Sequence, residues 1–319
     1  MPTIKDVAQE AGVTVTTVSR VLNNRGYLSE KTKGKVHQAM QKLDYHPNEV
    51  ARSLAQRQTT LLGVIVPSLM HPYYSEVINA LEKYASLIGL KLLVCNAQRN
   101  ADKEGEYIDM LKANKVAGII LCTQSRSSVS SLVNLPVVTL ERSISPSVPA
   151  ILCDNEMGGR LAAEHLLDRG CKNLVMIHGG RSSEERVTGF TKVCESRGIP
   201  YRVVQASKRQ FNHLDYADLI DTLFTDNPAS DGVFASSDVI AAQVIQICHK
   251  RGLCVPEDVK VIGFDDVDLA RLLSPALSTI HQPIEALAEL AIQIITTWEK
   301  ETHRNRTILP VSLIQRSST

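Results

Sequence analysis

Short apolar runs rich in β-branched residues alternate with longer amphipathic stretches from Leu61 to Asp265, and this alternation restricts the possible folds more than any other feature of the chain. The runs are Leu61–Pro67, Lys91–Ala97, Gly118–Thr123, Ile151–Asp154, Leu174–His178, Gly232–Ala235 and Val259–Asp265. Between them, Tyr73–Ser86, Glu156–Leu167 and Val239–Lys250 carry apolar residues at helical spacing. Strands that are apolar on both faces and separated by helices belong in parallel sheets covered on both sides. The array is too long for one open sheet, and its middle starts a second series. The expected fold class is α/β: two doubly wound lobes with a cleft between them, where ligands bind at the carboxyl ends of the strands.

The first 46 residues follow a different pattern. Thr3 stands three residues before Asp6 as a capping box, and Ile4, Val7, Ala8 and Ala11 make one apolar helical face. Gly12 stops that helix. Thr14 caps a second one carrying Val15, Val18, Val21 and Leu22, and Ser29 caps a third carrying Val36, Met40 and Leu43. Two helices joined through Ala11-Gly12-Val13-Thr14 are a helix-turn-helix pattern, whose second helix enters the DNA major groove. Its exposed face carries Thr16, Thr17 and Arg20, and arginine can make a bidentate contact to guanine. A small three-helix bundle with an incidental arginine is the plainer reading of the same pattern. Residues 1–60 hold nine Lys/Arg against five Asp/Glu, whereas the remainder is slightly acidic, which suits a polyanion partner for the head.

Pro47 and Asn48 then introduce about two turns of potential helix, Glu49–Leu54, followed by the polar linker Gln56–Thr60. A helix this short is marginal alone in water. Ile4-Lys5-Asp6-Val7-Ala8, Gly12-Val13-Thr14, Thr17-Val18-Ser19-Arg20-Val21-Leu22-Asn23 and Tyr45-His46-Pro47-Asn48-Glu49-Val50-Ala51-Arg52-Ser53-Leu54 resemble, in one order and spacing, the head and hinge of the LacI/GalR repressors. The resemblance implies a head over residues 1–46, a hinge and linker over 47–60 and a two-lobed, periplasmic-binding-protein-like effector and dimerisation core over 61–319. It implies DNA contacts from Thr14, Val15, Thr16, Thr17, Arg20, Asn23, Tyr45, Ala51 and Leu54, with Leu54 as an apolar wedge at a central base step. Three crossings between lobes follow from it as well, with the first lobe at about 61–157 and 286–305 and the second at about 158–283 and 308–316.

By the same resemblance the effector contacts are Tyr73, Tyr74, Asp154, Arg186, Phe211, Ser237, Asp265 and Gln282. Aromatic rings suit the apolar faces of sugars, Asp265 suits paired hydroxyls, and Arg186 suits ligand oxygens. Alternatively, Asp265 and Arg186 form a structural ion pair, Tyr73 and Tyr74 pack at a helix start, and Asp238 and Asp266 serve as helix caps or structural groups between the lobes. The hinge and the His71-Pro72-Tyr73-Tyr74 loop are most similar to ribose-operon repressors, while Gly26-Tyr27-Leu28-Ser29-Glu30-Lys31-Thr32 is shared with sucrose-operon repressors. The expected partners are a pseudo-palindromic double-stranded operator, a small sugar or sugar phosphate as inducer or corepressor, and a second copy of the chain. With no leucine heptads before Thr319, a dimer is expected rather than a tetramer. Two alternatives are a sugar-binding module without regulatory DNA binding and a repressor controlled by a phosphocarrier protein.

No GxSxG, P-loop, HExxH or GxGxxG motif is present, so an enzyme is not expected. The histidines lack zinc-ligand spacing, and neither metal nor cofactor is expected. Seven scattered cysteines without a CxxC pair suit reduced thiols. The start, Met1-Pro2-Thr3-Ile4-Lys5-Asp6, carries no apolar stretch of the signal-peptide kind, so the expected compartment is the cytoplasm, with no membrane association.

Overall fold

The computed structural model describes residues 2–22, 26–45, 59–122, 136–179, 184–298 and 305–319. The chain divides into two compact units, Met1–Thr59 and Thr60–Thr319. In the first, helices α1 (Ile4–Ala11), α2 (Val15–Leu22) and α3 (Glu30–Lys42) enclose a small core. The Thr3 N–H and hydroxyl donate to Asp6 Oδ2 at 2.7 and 2.8 Å, fixing the start of α1. Gly12 ends it at φ 63°, a left-handed turn that suits glycine. Val7, Ala8, Ala11, Val18, Val36 and Ala39 are buried, and the alanines among them let the helices approach closely.

The second unit holds two six-stranded sheets. One contains β1 (Leu61–Val66), β2 (Lys91–Asn96), β3 (Gly118–Leu121), β4 (Val137–Leu140), β5 (Ala150–Cys153) and β11 (Arg306–Leu309), in the order β11-β5-β4-β3-β1-β2. Every pairing in it is parallel. The other contains β6 (Leu174–His178), β7 (Tyr201–Gln205), β8 (Gly232–Ala235), β9 (Lys260–Asp265), β10 (Ser278–His281) and β12 (Ser312–Ile314), in the order β12-β10-β9-β8-β6-β7. There only β12 runs antiparallel to its neighbour. Helices α4 (Pro72–Leu87), α5 (Ala101–Ala113) and α12 (Ile284–Thr296) cover the first sheet, with Val77, Leu81, Leu287 and Ala291 in one buried cluster. Helices α6 (Asn155–Asp168), α7 (Glu184–Arg197), α8 (Lys208–His213), α9 (Ala217–Asp226), α10 (Asp238–Lys250) and α11 (Asp268–Leu272) belong to the second half of the array.

The α/β class and the two parallel-sheet lobes expected from the sequence are present. The apolar sequence pattern misses β4, β7, β10, β11 and β12. β7, β11 and β12 are edge strands without a fully buried position, so none of them needs a continuous apolar run. β10 is polar because Thr279 and Ser278 are buried against hydrogen-bond partners: Thr279 Oγ1 donates to Asp238 Oδ1 at 2.5 Å, and Ser278 Oγ lies 2.7 Å from Thr319 Oγ1. After β5 the chain enters α6, capped by Asp154, whose Ala162, Ala163 and Leu166 pack with residues of the second sheet. One crossing between sheets falls elsewhere than expected. This last one comes at Pro310: Arg306–Leu309 still pairs with β5, and only Ser312–Ile314 joins the second sheet. Proline has no N–H to continue the ladder.

Helices α6 and α7 touch backbone to backbone. A Cβ on Gly159 would collide with the Arg186 carbonyl, and one on Gly189 with the Glu156 carbonyl. Gly189→Ala should therefore force the helices apart and cost roughly 1–3 kcal/mol in denaturant unfolding, the range for overpacking. Gly105→Ala in α5, where a Cβ meets nothing within 4 Å, should instead be neutral or stabilise by up to about 1 kcal/mol. Equal effects of the two would remove the close contact as the reason for glycine at 189.

Candidate functional site

In the first unit, the Thr14 hydroxyl accepts from the Thr17 N–H at 3.2 Å and starts α2, as its sequence position suggests. Thr16, Arg20 and Val15 are exposed on that helix and Thr17 is half-buried. The Arg20 guanidinium lies against Gly26, where a Cβ would strike Nη2. Tyr45 packs against the head core and its N–H donates to the Met40 carbonyl at 2.9 Å. Asn23, Ala51 and Leu54, and with them the expected hinge helix, lie outside the described residues.

In the second unit, the effector candidates all sit at carboxyl ends of strands or on the segments that follow them. After β1, Pro72 occupies the first turn of α4 and sets Tyr73 and Tyr74 on its buried face, 3% and 7% exposed, with their rings edge to face at 5.3 Å. The Tyr74 hydroxyl donates to Glu141 Oε2 at 3.0 Å. Glu141 follows β4 at φ 65°, and burial raises its carboxyl above the usual range against the opposing pull of Arg186 and the tyrosines.

Arg186, 9% exposed, is held on every side. Its Nε donates to Asn155 Oδ1 at 2.7 Å, its Nη1 to the Ser236 carbonyl at 2.6 Å, and its guanidinium lies 3.5 Å over the Phe264 ring. Asp265 is 3.9 Å from Nη1, the outer edge of an ion pair, and accepts from Gln282 Nε2 at 2.7 Å. Burial drives the Asp265 carboxyl well up, with Arg186 the main opposing influence. Asp265 and Asp266 follow each other at φ 117° and 60°, a conformation that costs non-glycine residues on the order of 1–3 kcal/mol each and recurs at functional sites.

Tyr73, Tyr74, Arg186, Asp265 and Gln282 are thus brought to one place. Asp154 and Ser237 serve differently: Asp154 Oδ1 accepts from the Met157 N–H at 2.9 Å and Ser237 Oγ from the Ile240 N–H at 3.3 Å, each as a helix cap. Phe211 carries the Arg99 guanidinium over its ring at 4.4 Å. Asp266 binds Arg316 at 2.5 Å and His281 at 2.9 Å and so ties the last segment to the second sheet.

Sequence reasoning singles out neither Arg99, Glu141, Asn155 and Ser236 nor the part played by His71. Asn155 sits beside a named candidate and Glu141 follows a strand that the apolar pattern misses. Arg99 has no local signature, because its position depends on Gln98 and Arg99 both adopting left-handed φ, 52° and 55°. Among the described residues, the buried side-chain polar atoms without a hydrogen-bond partner are His71 Nδ1, Tyr73 Oη and Arg99 Nε. Each such atom costs about 1–3 kcal/mol. All three belong to the first lobe's strand-end segments, and the charges of Arg99 and Arg186 both reach His71, which burial together with them pushes down to about 4. No cluster of metal-ligating side chains exists among the described residues.

The family model for bacterial regulatory proteins of the lacI family matches residues 3–48, and that for a periplasmic binding protein-like domain matches residues 163–319. Over its whole length the chain is 36% identical to the ribose operon repressor of Halalkalibacterium halodurans, covering 97% of that protein. The chain belongs to the lacI family. This regulator is also 36% identical to the sucrose operon repressor of Streptococcus mutans, over 99% of its own length and 98% of that protein. Its fold matches the lac repressor dimer bound to operator and the anti-inducer ONPF with a TM-score of 0.88 at 26% identity, covering 99% of this chain and 98% of that one. Its relatives are transcription regulators and not enzymes, and so is this chain. Among the described residues, no helix is long and apolar enough to cross a membrane.

At the start of α10 in this regulator, Asp238 is fully buried and accepts from the Thr279 hydroxyl at 2.5 Å and the Val267 N–H at 2.9 Å. Burial pushes its carboxyl up to about 7, and those two hydrogen bonds oppose the shift. A carboxyl whose folded value exceeds its unfolded one holds its proton more tightly in the folded chain. Its contribution is therefore lost as pH rises from about 4 toward about 7. Between about pH 5 and about pH 8 the wild type should lose roughly 2 kcal/mol more stability than Asp238→Asn. Parallel pH profiles of the two proteins in chemical denaturation would show that Asp238 is not the group responsible.

Proposed function

We propose that this regulator is a cytoplasmic transcription repressor that binds a pseudo-palindromic operator as a homodimer and is controlled by a small sugar or sugar phosphate in the cleft between its lobes. The observation that carries the ligand reading is the group of three orphaned polar atoms, His71 Nδ1, Tyr73 Oη and Arg99 Nε, at strand ends where Arg186, Asp265 and Gln282 also gather. Ribose and its derivatives are the first candidates, since a ribose operon repressor is among the full-length relatives; sucrose comes next. Residues 1–46 are the DNA-binding head, 47–60 the hinge and linker, and 61–319 the effector and dimerisation core.

In this reading Arg20, Thr16 and Thr17 address base edges, Thr14 and Val15 start the recognition helix at the groove, and Asn23, Tyr45 and Ala51 support docking. Leu54 wedges a central base step. At the effector, Tyr73 and Tyr74 line an apolar sugar face, with Arg186, Asp265 and Gln282 on its hydroxyls. Phe211 closes the side of the cleft, while Asp154 and Ser237 shape its floor through the helices they cap. Effector binding alters the angle between lobes and so the state of the hinge, with a coupling energy of about 1–3 kcal/mol.

The test is fluorescence anisotropy on DNA upstream of the gene at fixed salt, since phosphate contacts make such affinities steeply salt-dependent. Release from, or tightening on, the operator by ribose, sucrose or their phosphates is the expected result. Specific binding indifferent to all of them would move control to another signal, and no specific binding would end the repressor reading. Arg20→Ala should weaken the cognate operator by roughly 1–3 kcal/mol and relax discrimination at one base pair. An equal loss on every DNA sequence would make Arg20 a phosphate contact.

A further inference from the structure

Arg99 is built into the cleft as a cation without a counter-charge. Its N–H donates to the Pro67 carbonyl at 3.0 Å, which fixes it beside the carboxyl end of β1, and Asn100 next to it caps α5 through Oδ1. From the first lobe its guanidinium reaches the Phe211 ring of the second, 4.4 Å from the centroid. That ring has its place only because residue 179 is glycine: a Cβ there would lie 2.5 Å from Phe211 Cδ2. Stacking on an aromatic face satisfies the plane of a guanidinium but not its N–H edge. Arg99 Nε is buried without a hydrogen-bond partner, and among the described residues no carboxylate lies within ion-pair distance of it. The guanidiniums of Arg186 and Arg316, also shielded from water, each have an aspartate, at 3.9 and 2.5 Å.

The carboxyl groups of the cleft have hydrogen-bond partners, Asp265 in Gln282 and Glu141 in Tyr74. Burial drives both carboxyls up, and the Arg186 charge is the main opposing influence on each. Arg99 Nε, His71 Nδ1 and the Tyr73 hydroxyl, by contrast, can donate and have no hydrogen-bond partner among the described residues. His71 is kept neutral by burial and by the charges of Arg99 and Arg186, so its ring can offer one N–H without adding a second buried charge.

We propose that the ligand of this cleft carries an anionic group, a phosphate ester or a sugar carboxylate, seated against Arg99 beside His71, with its hydroxyls at the Asp265–Gln282 end. This rests on the reading that the cleft holds a small sugar derivative, and it names the chemical class. A charge-assisted hydrogen bond to the free guanidinium edge is stronger than any contact a neutral hydroxyl makes there. Binding also removes the cost of leaving that edge unpaired.

The experiment is isothermal titration calorimetry on the full-length protein with four probes: D-ribose, ribose 5-phosphate, ribonate and inorganic phosphate. The wild type should bind ribose 5-phosphate or ribonate at least about tenfold more tightly than ribose, and whichever of the two binds identifies the anion. In Arg99→Gln, checked for folding by its melting temperature, the ratio of anionic to neutral affinity should fall to near one. Arg99→Lys should keep part of it, since lysine supplies the charge without the fork. Equal affinity of wild type for ribose and its anionic derivatives, or equal loss of both in Arg99→Gln, would overturn the inference while leaving the sugar reading intact. Binding by inorganic phosphate as tight as by ribose 5-phosphate would reduce the site to a simple anion site and overturn it too. No binding by any probe would remove ribose and its derivatives as ligands of this cleft, and the inference with them.

Discussion

A buried guanidinium must have all its faces satisfied or it destabilises the fold around it, and much of the second lobe is arranged to do this for Arg186. Its two hydrogen bonds reach the start of α6 through Asn155 and the end of β8 through the Ser236 carbonyl. Its plane rests on Phe264, and Asp265 lies 3.9 Å from the same Nη1 that donates to Ser236. The glycines at 159 and 189 let α7 press against α6 closely enough for these distances to hold. A charge that could have been a liability becomes the fixed point from which the strand ends β8 and β9 are positioned.

The first lobe behaves in the opposite way. There the helix start at Pro72 and the left-handed residues Gln98, Arg99 and Glu141 deliver polar groups to the same region but leave several unsatisfied. Folded chains keep such costs mainly where something outside the chain removes them. One lobe thus presents a finished polar surface and the other an unfinished one. A ligand lying between them has a reason to draw the two together.

How much of this was legible in the sequence depended on whether the signal was local. Gly12, the Thr3–Asp6 cap and the apolar face of α1 sufficed for the head, and long apolar strands announced the sheets. β10 escaped notice because its interior residues are Ser278 and Thr279, whose burial makes sense only beside Asp238 and Thr319. Tyr73, Tyr74, Arg186, Asp265 and Gln282 stood out through family resemblance, and the structure brings them together. Arg99 could not, because what sets it apart is the absence of a partner after folding. Ser237 and Asp154 stood at the right strand ends, yet their side chains are occupied as helix caps. The last crossing between sheets was misplaced because a single residue, Pro310, decides it.

The central claim is that one small ligand is held by strand ends of both lobes at once. Hydrogen–deuterium exchange of the full-length protein, with and without a saturating amount of the tightest-binding sugar derivative, measures this most directly. The account requires slower exchange in peptides from both sides of the cleft, those covering Ser68–Tyr74 and Gly263–Val267, at the same ligand concentration. Protection confined to one lobe, with the other unchanged at saturation, would contradict it.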